Sequence, residues 1–197
     1  MKPSNLVRPE EAFAQSPNSR WPLDWSQDGR FLLFHEDNAK TGIDLLAWPM
    51  IEKEPKEIPV ATTPFAEVTG EFSPDGHWVA YDTNESGQSQ IVVQPFPNPT
   101  SKWQISTAGG SQPRWRRDGK ELYFIAPDAK LMAAQIHASP SGIESESPVV
   151  LFQTRMDPGT FRQQYVVSAD GRFLINELIE DASAPPITLI LNWKPKP

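Results

Sequence analysis

The sequence predicts an all-β fold, a β-propeller of four four-stranded antiparallel blades. The first ground is a repeat. Four segments of the 197-residue chain share an aromatic or apolar pair, a polar turn ending Asp-Gly, and an apolar run. They read Asp24-Trp25-Ser26-Gln27-Asp28-Gly29, Glu71-Phe72-Ser73-Pro74-Asp75-Gly76, Arg114-Trp115-Arg116-Arg117-Asp118-Gly119 and Val166-Val167-Ser168-Ala169-Asp170-Gly171. The second ground is spacing: the four glycines follow at intervals of 47, 43 and 52 residues. That is the length of a four-stranded propeller blade. The third is composition. Proline, at 21 residues, opposes long helices because it lacks a helical donor and clashes with the preceding turn. Spread among apolar runs rich in tryptophan, of which there are 7, it fits short strands between tight turns.

Each blade is justified in the same order. Asp-Gly closes a hairpin, because glycine accepts the positive φ of the turn and aspartate bonds nearby backbone amides. The strands that follow, 31–34, 78–81, 122–125 and 173–175, are near-continuous apolar runs, as expected when both faces are covered. Third strands are expected at 44–48, 90–94, 131–136 and 187–193. More polar outer strands are expected at 57–61, 102–106 and 149–153. Residues 139–142 and 156–159 read as loop insertions on a blade. The blades thus span about 9–62, 63–107, 108–155 and 156–193, between tails at 1–8 and 194–197. The last repeat lacks an outer strand. The strand-like piece at 11–15 is expected to supply it, closing the ring and covering a sheet edge.

Composition narrows the functional classes. Eighteen basic against 25 acidic residues give a net charge of −7, which argues against a duplex nucleic acid partner. The mixed basic and aromatic run 114–117 has no second basic patch to join it. No cysteine is present, so disulfides and thiolate metal sites are excluded. No apolar run reaches membrane-spanning length, and no apolar leader follows Met1, so a soluble chain without an export address is expected. Residues 82–87 open like a calcium loop, but Val93 stands where its closing glutamate belongs, so a solvated hairpin turn is expected. His35, His77 and His137 fall at unrelated repeat positions, and no metal or other cofactor is expected. The Gly-x-Ser-x-Gly elbow of serine hydrolases does not occur.

Ser73-Pro74-Asp75-Gly76, set between an aromatic and an apolar strand, resembles the TolB-type, WD-repeat-like β-propeller repeat. Thr41-Gly42-Ile43-Asp44-Leu45, Thr63-Pro64-Phe65, Asn84-Glu85-Ser86-Gly87, Gln94-Pro95-Phe96-Pro97, the run 114–122 and the run 186–193 extend the likeness. In this order they are similar to the C-terminal propeller appended to bacterial serine/threonine protein kinases. The resemblance covers residues 9–193 and implies a sensor or binding module, extracytoplasmic when joined to a membrane-anchored kinase. The chain has no Gly-rich phosphate loop, His-Arg-Asp or Asp-Phe-Gly motif, so phosphoryl transfer is not carried by these residues. It also has four repeats where such propellers have six or more.

Trp25, Phe72, Trp115 and Val167 occupy equivalent places on the innermost strands, and their bulk suits packing between blades. The preceding residues, Asp24, Glu71, Arg114 and Val166, are then expected to face the central channel or its mouth. Asp24, Glu71 and Arg114 form the candidate ligand site, with the guanidinium suited to a carboxylate or phosphate. The competing reading is an ion-pair network that satisfies itself. The expected function is non-catalytic recognition of a protein, peptide or small ligand at the channel mouth. The alternative is a propeller hydrolase or lyase using Asp24 and Glu71 as acid and base. Four blades either close as a small ring or pair with a second chain as half-rings. The bulky inter-blade aromatics favour the larger, dimeric ring.

Overall fold

The structure, a computed structural model, describes residues 16–139 and 141–177, and the backbone of 187–189. Its elements are all strands and turns. The first sheet runs in order β1(Arg20–Trp25), β2(Phe31–Asn38), β3(Gly42–Pro49) and β4(Ile58–Ala61). The second comprises β5(Glu67–Phe72), β6(Trp78–Thr83), β7(Gln90–Pro95) and β8(Trp103–Gln104). The third holds β9(Ser111–Trp115), β10(Glu121–Ile125) and β11(Lys130–Ser139), with both β12(Gly142–Ser145) and β13(Val149–Gln153) paired to β11. The fourth shows β14(Tyr165–Val167), β15(Phe173–Asn176) and β16(Ile187–Leu189). All pairings are antiparallel. The first strands of the sheets stand side by side in the order β1, β5, β9, β14. This is a propeller arc of four blades.

The Asp-Gly turns join the first and second strands of every blade, as expected. Ser26 shows why the motif works. Its hydroxyl donates to Asp28 and accepts the Phe31 amide, while Asp28 Oδ1 accepts the Arg30 amide. Ser73 and Asp75 repeat the same bonds, and Ser168 binds Asp170 in the same way. In the third blade Arg116 replaces the serine and contacts Asp118 by charge instead. Gly29, Gly76, Gly119 and Gly171 all sit near φ +70 to +80°, a region that side chains with a Cβ rarely adopt.

Three cores lie between consecutive blades. Leu33, Leu45 and Val60 of blade 1 pack on Phe72, Val79 and Tyr81 of blade 2. Ile91 and Val93 pack on Trp115, Leu122 and Phe124. Tyr123, Ile125 and Leu131 pack on Tyr165, Phe173 and Ile175. The second strands of the first three blades bury both faces, whereas that of the last, with Leu174 and Asn176 exposed, buries one, and such burial dominates the stability of the fold.

Two expectations are corrected. Residues 139–142 are not a loop insertion. Ser139 ends β11 and pairs with Gly142, which begins β12, so a β11–β12 hairpin stands there and makes the third sheet five-stranded. The hairpin is held by packing: a Cβ on Gly142 would stand 2.4 Å from the Trp103 ring, and Ile143 enters the second core. Trp25 does not pack between blades. It is 52% exposed, because no described blade precedes it, whereas its equivalents Phe72 and Trp115 are buried. The expected strand at 11–15, the end of the strand expected at 187–193 and the tails 1–8 and 194–197 lie outside the described residues.

Close approach of blades requires a bare backbone at Gly70 of β5. A Cβ there would come within 2.8 Å of Leu33 and 3.0 Å of Leu45. Gly70→Ala is expected to cost about 1–3 kcal/mol through overpacking, read as a lower urea midpoint. An unchanged midpoint would contradict this packing.

Candidate functional site

The channel is lined by the first strands, and its polar groups tie each blade to the next. Asp24 of β1 accepts the Phe72 amide of β5 through Oδ2 at 2.9 Å. Glu71 of β5 accepts the Trp115 amide of β9 through Oε2 at 2.5 Å. Arg114 of β9 donates from Nε to the Tyr165 carbonyl of β14 at 3.4 Å. The same move recurs one layer along the channel. Thr69 Oγ1 accepts the Gln112 amide at 3.2 Å, and Gln112 Oε1 accepts the Gln164 amide at 2.9 Å. Thr69 and Gln112 hold φ of 43° and 58°. They sit in irregularities of strand register beside Glu71 and Arg114. There the backbone is released from its own hairpin, and its amides become available to the neighbouring blade.

Electrostatics follow from this burial. Glu71 and Arg114 pair at 3.1 Å, with side chains 17% and 13% exposed. Burial pushes the Glu71 carboxyl up to about 7, against the pull of Arg114; the nearby Asp24 charge adds to the rise, and the Trp115 amide opposes it. Burial also raises Asp24, opposed by the Phe72 and Trp25 amides and by Arg114. Behind the channel, Asp82 is fully enclosed and pushed up to about 7 by burial. It receives the hydroxyls of Thr69 and Ser89 and has no ion-pair partner among the described residues.

The three expected site residues are thus brought together, but they do not share one mouth. Asp24 and Glu71 border a cleft of about 300 Å³ at the Asp-Gly turn end, beside Trp25, Trp115 and Arg117. Arg114 opens towards the other end, into a cleft of about 550 Å³ with Trp21, His35, Phe161 and Gln163. Sequence reasoning missed Gln112, Gln163 and Gln164. Gln163 donates to the carbonyls of Thr69 and Pro113, and Gln112 Nε2 donates to the Asp157 carbonyl and Gln164. Their signal was glutamine recurring just before the inner-strand motif, at 112 and at 163–164. Among the described residues, no group of three or more histidine, aspartate or glutamate side chains could hold a metal ion. No helix there is long and apolar enough to cross a membrane.

No family model and no curated protein matches the sequence. Solved structures do. A protein described as TolB from Agrobacterium tumefaciens superposes with a TM-score of 0.51 at 17% identity, over 70% of this chain and 52% of that one. TolB from Acinetobacter baumannii gives 0.51 at 16%, over 79% and 40%. The Cps50 (Swd1) β-propeller domain of Myceliophteria thermophila gives 0.51 at 12%, over 78% and 65%. The fold is a β-propeller. The chain spans about half the length of these TolB proteins or less. Enzymes carry the fold as well, the tricorn protease among them, so likeness of fold does not assign an activity.

Asp82 supplies a pH test. Its folded-state pKa lies above the ordinary 3.8, so the folded protein keeps a proton that the unfolded chain releases. Stability from this group is complete below about pH 4 and declines as pH rises towards 7. Asp82→Asn cannot titrate. Wild type is expected to lose stability relative to Asp82→Asn between about pH 4 and 7, read from paired urea unfolding curves. Parallel pH profiles would contradict it.

Proposed function

We propose that the chain is a non-catalytic binding module that recognises a protein, peptide or small ligand at its channel mouths. One observation carries this reading: the channel carboxylates are already committed. Both Glu71 oxygens accept protein donors, and one Asp24 oxygen is spent on the Phe72 amide. A pKa near 7 would suit acid–base work, but these groups hold blades rather than project towards a substrate. The mouths, by contrast, present open clefts. Asp24, Glu71, Trp25 and Arg117 border the turn-end mouth, and Arg114 the opposite one. The motif likeness supports a sensor role of the kind seen beside bacterial serine/threonine kinases.

A hydrolase or lyase reading requires turnover that Asp24→Asn with Glu71→Gln abolishes. The binding reading expects no turnover of peptide, ester, lactone or glycoside probes in either form. It also expects a partner that wild type captures from cell extract and that Trp25→Ala with Arg117→Glu releases. Turnover lost in the carboxylate variant would overturn it.

We also propose that a second copy completes the ring. Trp25 at the first blade, and Leu174 and Val166 at the last, are large apolar groups left exposed where inter-blade cores would otherwise form. Light scattering is expected to give about twice the 22.1 kDa chain mass. A monodisperse monomer would contradict the pairing.

A further inference from the structure

We infer that the channel mouth opposite the Asp-Gly turns is a carboxylate-recognition site for peptides whose carboxylate lies beside a bulky apolar side chain. The inference rests on the binding reading above and adds what chemistry this second mouth takes. The cleft there has a volume of about 550 Å³, within the range of ordinary ligand sites. It combines cationic groups, exposed aromatic rings and buried polar atoms lacking partners.

The cations come first. Arg114 spends Nε on the Tyr165 carbonyl and Nη1 on Glu71, and its Nη2 has no partner among the described residues. Its guanidinium is therefore held in place from one side with donors left over, the arrangement that suits a planar carboxylate. Arg162 lines the same cleft, is exposed, and makes no hydrogen bond or ion pair among the described residues. Glu71 offsets the charge of Arg114, so Arg162 supplies the attraction. Asp37 at the rim offsets part of it. Two arginines against Glu71 and Asp37 leave the cleft formally balanced, so recognition rests on the free donors of Arg114 and Arg162, which suit a single carboxylate better than a phosphate or polyanion.

The aromatic rings give the rest of the ligand. Trp21 is held edge-on by His35, ring centroids 5.1 Å apart, yet remains 45% exposed, and Phe161 is 55% exposed. Both line the cleft. Two large rings left in water beside a cation fit an apolar or aromatic side chain adjoining a carboxylate. His35 and Gln163 also line it, and His35 Nδ1 and Gln163 Oε1 are buried without hydrogen-bond partners among the described residues. Burial holds His35 below its ordinary pKa, opposed by Asp37, which favours the neutral ring. Orphaned polar atoms of this kind are costly in a folded protein.

The carboxylate can belong to a chain terminus or to an internal acidic side chain, and the test separates the two. The full chain is probed with immobilised peptides in three forms: free C-terminus after a bulky apolar residue, the same peptides amidated, and amidated peptides with an internal Glu beside such a residue. Binders are then measured by fluorescence anisotropy against wild type, Arg162→Gln, Phe161→Ala and Trp21→Ala, with Lys53→Ala as the remote control. Thermal melts verify that each variant is folded.

Wild type is expected to bind free-terminus or internal-Glu peptides and to reject uncharged amidated ones. Arg162→Gln and Phe161→Ala are each expected to weaken binding by about tenfold or more, and Lys53→Ala to leave it unchanged. Preference for free termini over internal Glu assigns the terminal carboxylate; the reverse assigns the side chain. Equal binding of uncharged amidated peptides, or binding untouched by both variants, overturns the carboxylate site while the binding-module reading stands on another surface. No peptide bound in any form also overturns it, and the extract capture still decides the broader reading.

Discussion

The propeller depends on one repeated contact: a side chain on the innermost strand of one blade bonds the backbone of the next. Asp24 to Phe72, Glu71 to Trp115 and Arg114 to Tyr165 form one layer. Thr69 to Gln112 and Gln112 to Gln164 form another. Backbone amides near a channel have no sheet partner on that side, and a buried amide left unpaired costs about 1–3 kcal/mol. Supplying an acceptor from the preceding blade removes that cost and fixes the order and spacing of the blades. The apolar cores between blades then form around a register already set.

This constraint explains why the channel residues are charged and yet poor candidates for chemistry. Glu71 has a raised pKa because it is buried, and it is buried because it spans a joint between blades. The same burial places Asp82 behind Thr69, where hydroxyls rather than a cation satisfy it. Perturbed carboxylates are often signs of a catalytic site. Here their partners are backbone amides, structural hydroxyls and the channel's own Arg114, and the open surface lies at the two mouths.

Much of the architecture was legible in the residues. The Asp-Gly spacing locates the four hairpins, because Ser-x-Asp-Gly in three blades, and Arg116 with Asp118 in the other, close the turn with local side chains and need no tertiary help. The outer strand expected at 149–153 is observed as β13. Residues 139–142 misled, because proline, serine and glycine mark turns without saying whether strands flank them; packing on Trp103 decided for a hairpin. Trp25 misled for a related reason. Sequence equivalence predicts the direction of a side chain but not whether a neighbour exists to receive it. At the site, Asp24, Glu71 and Arg114 were recognised as inward-facing, since they precede the aromatic of each repeat. That Arg114 opens to the opposite mouth depends on which backbone atom it reaches, and that is set by strand irregularities no residue pattern announces.

Hydrogen exchange at the amides of Phe72 and Trp115 tests the central claim most directly. Both should exchange among the slowest in the protein, and Asp24→Ala should accelerate Phe72 while leaving Trp115, clamped by Glu71, protected. Rapid exchange of these amides in wild type, or no acceleration at Phe72 in the variant, would show that the blades are held by apolar packing alone.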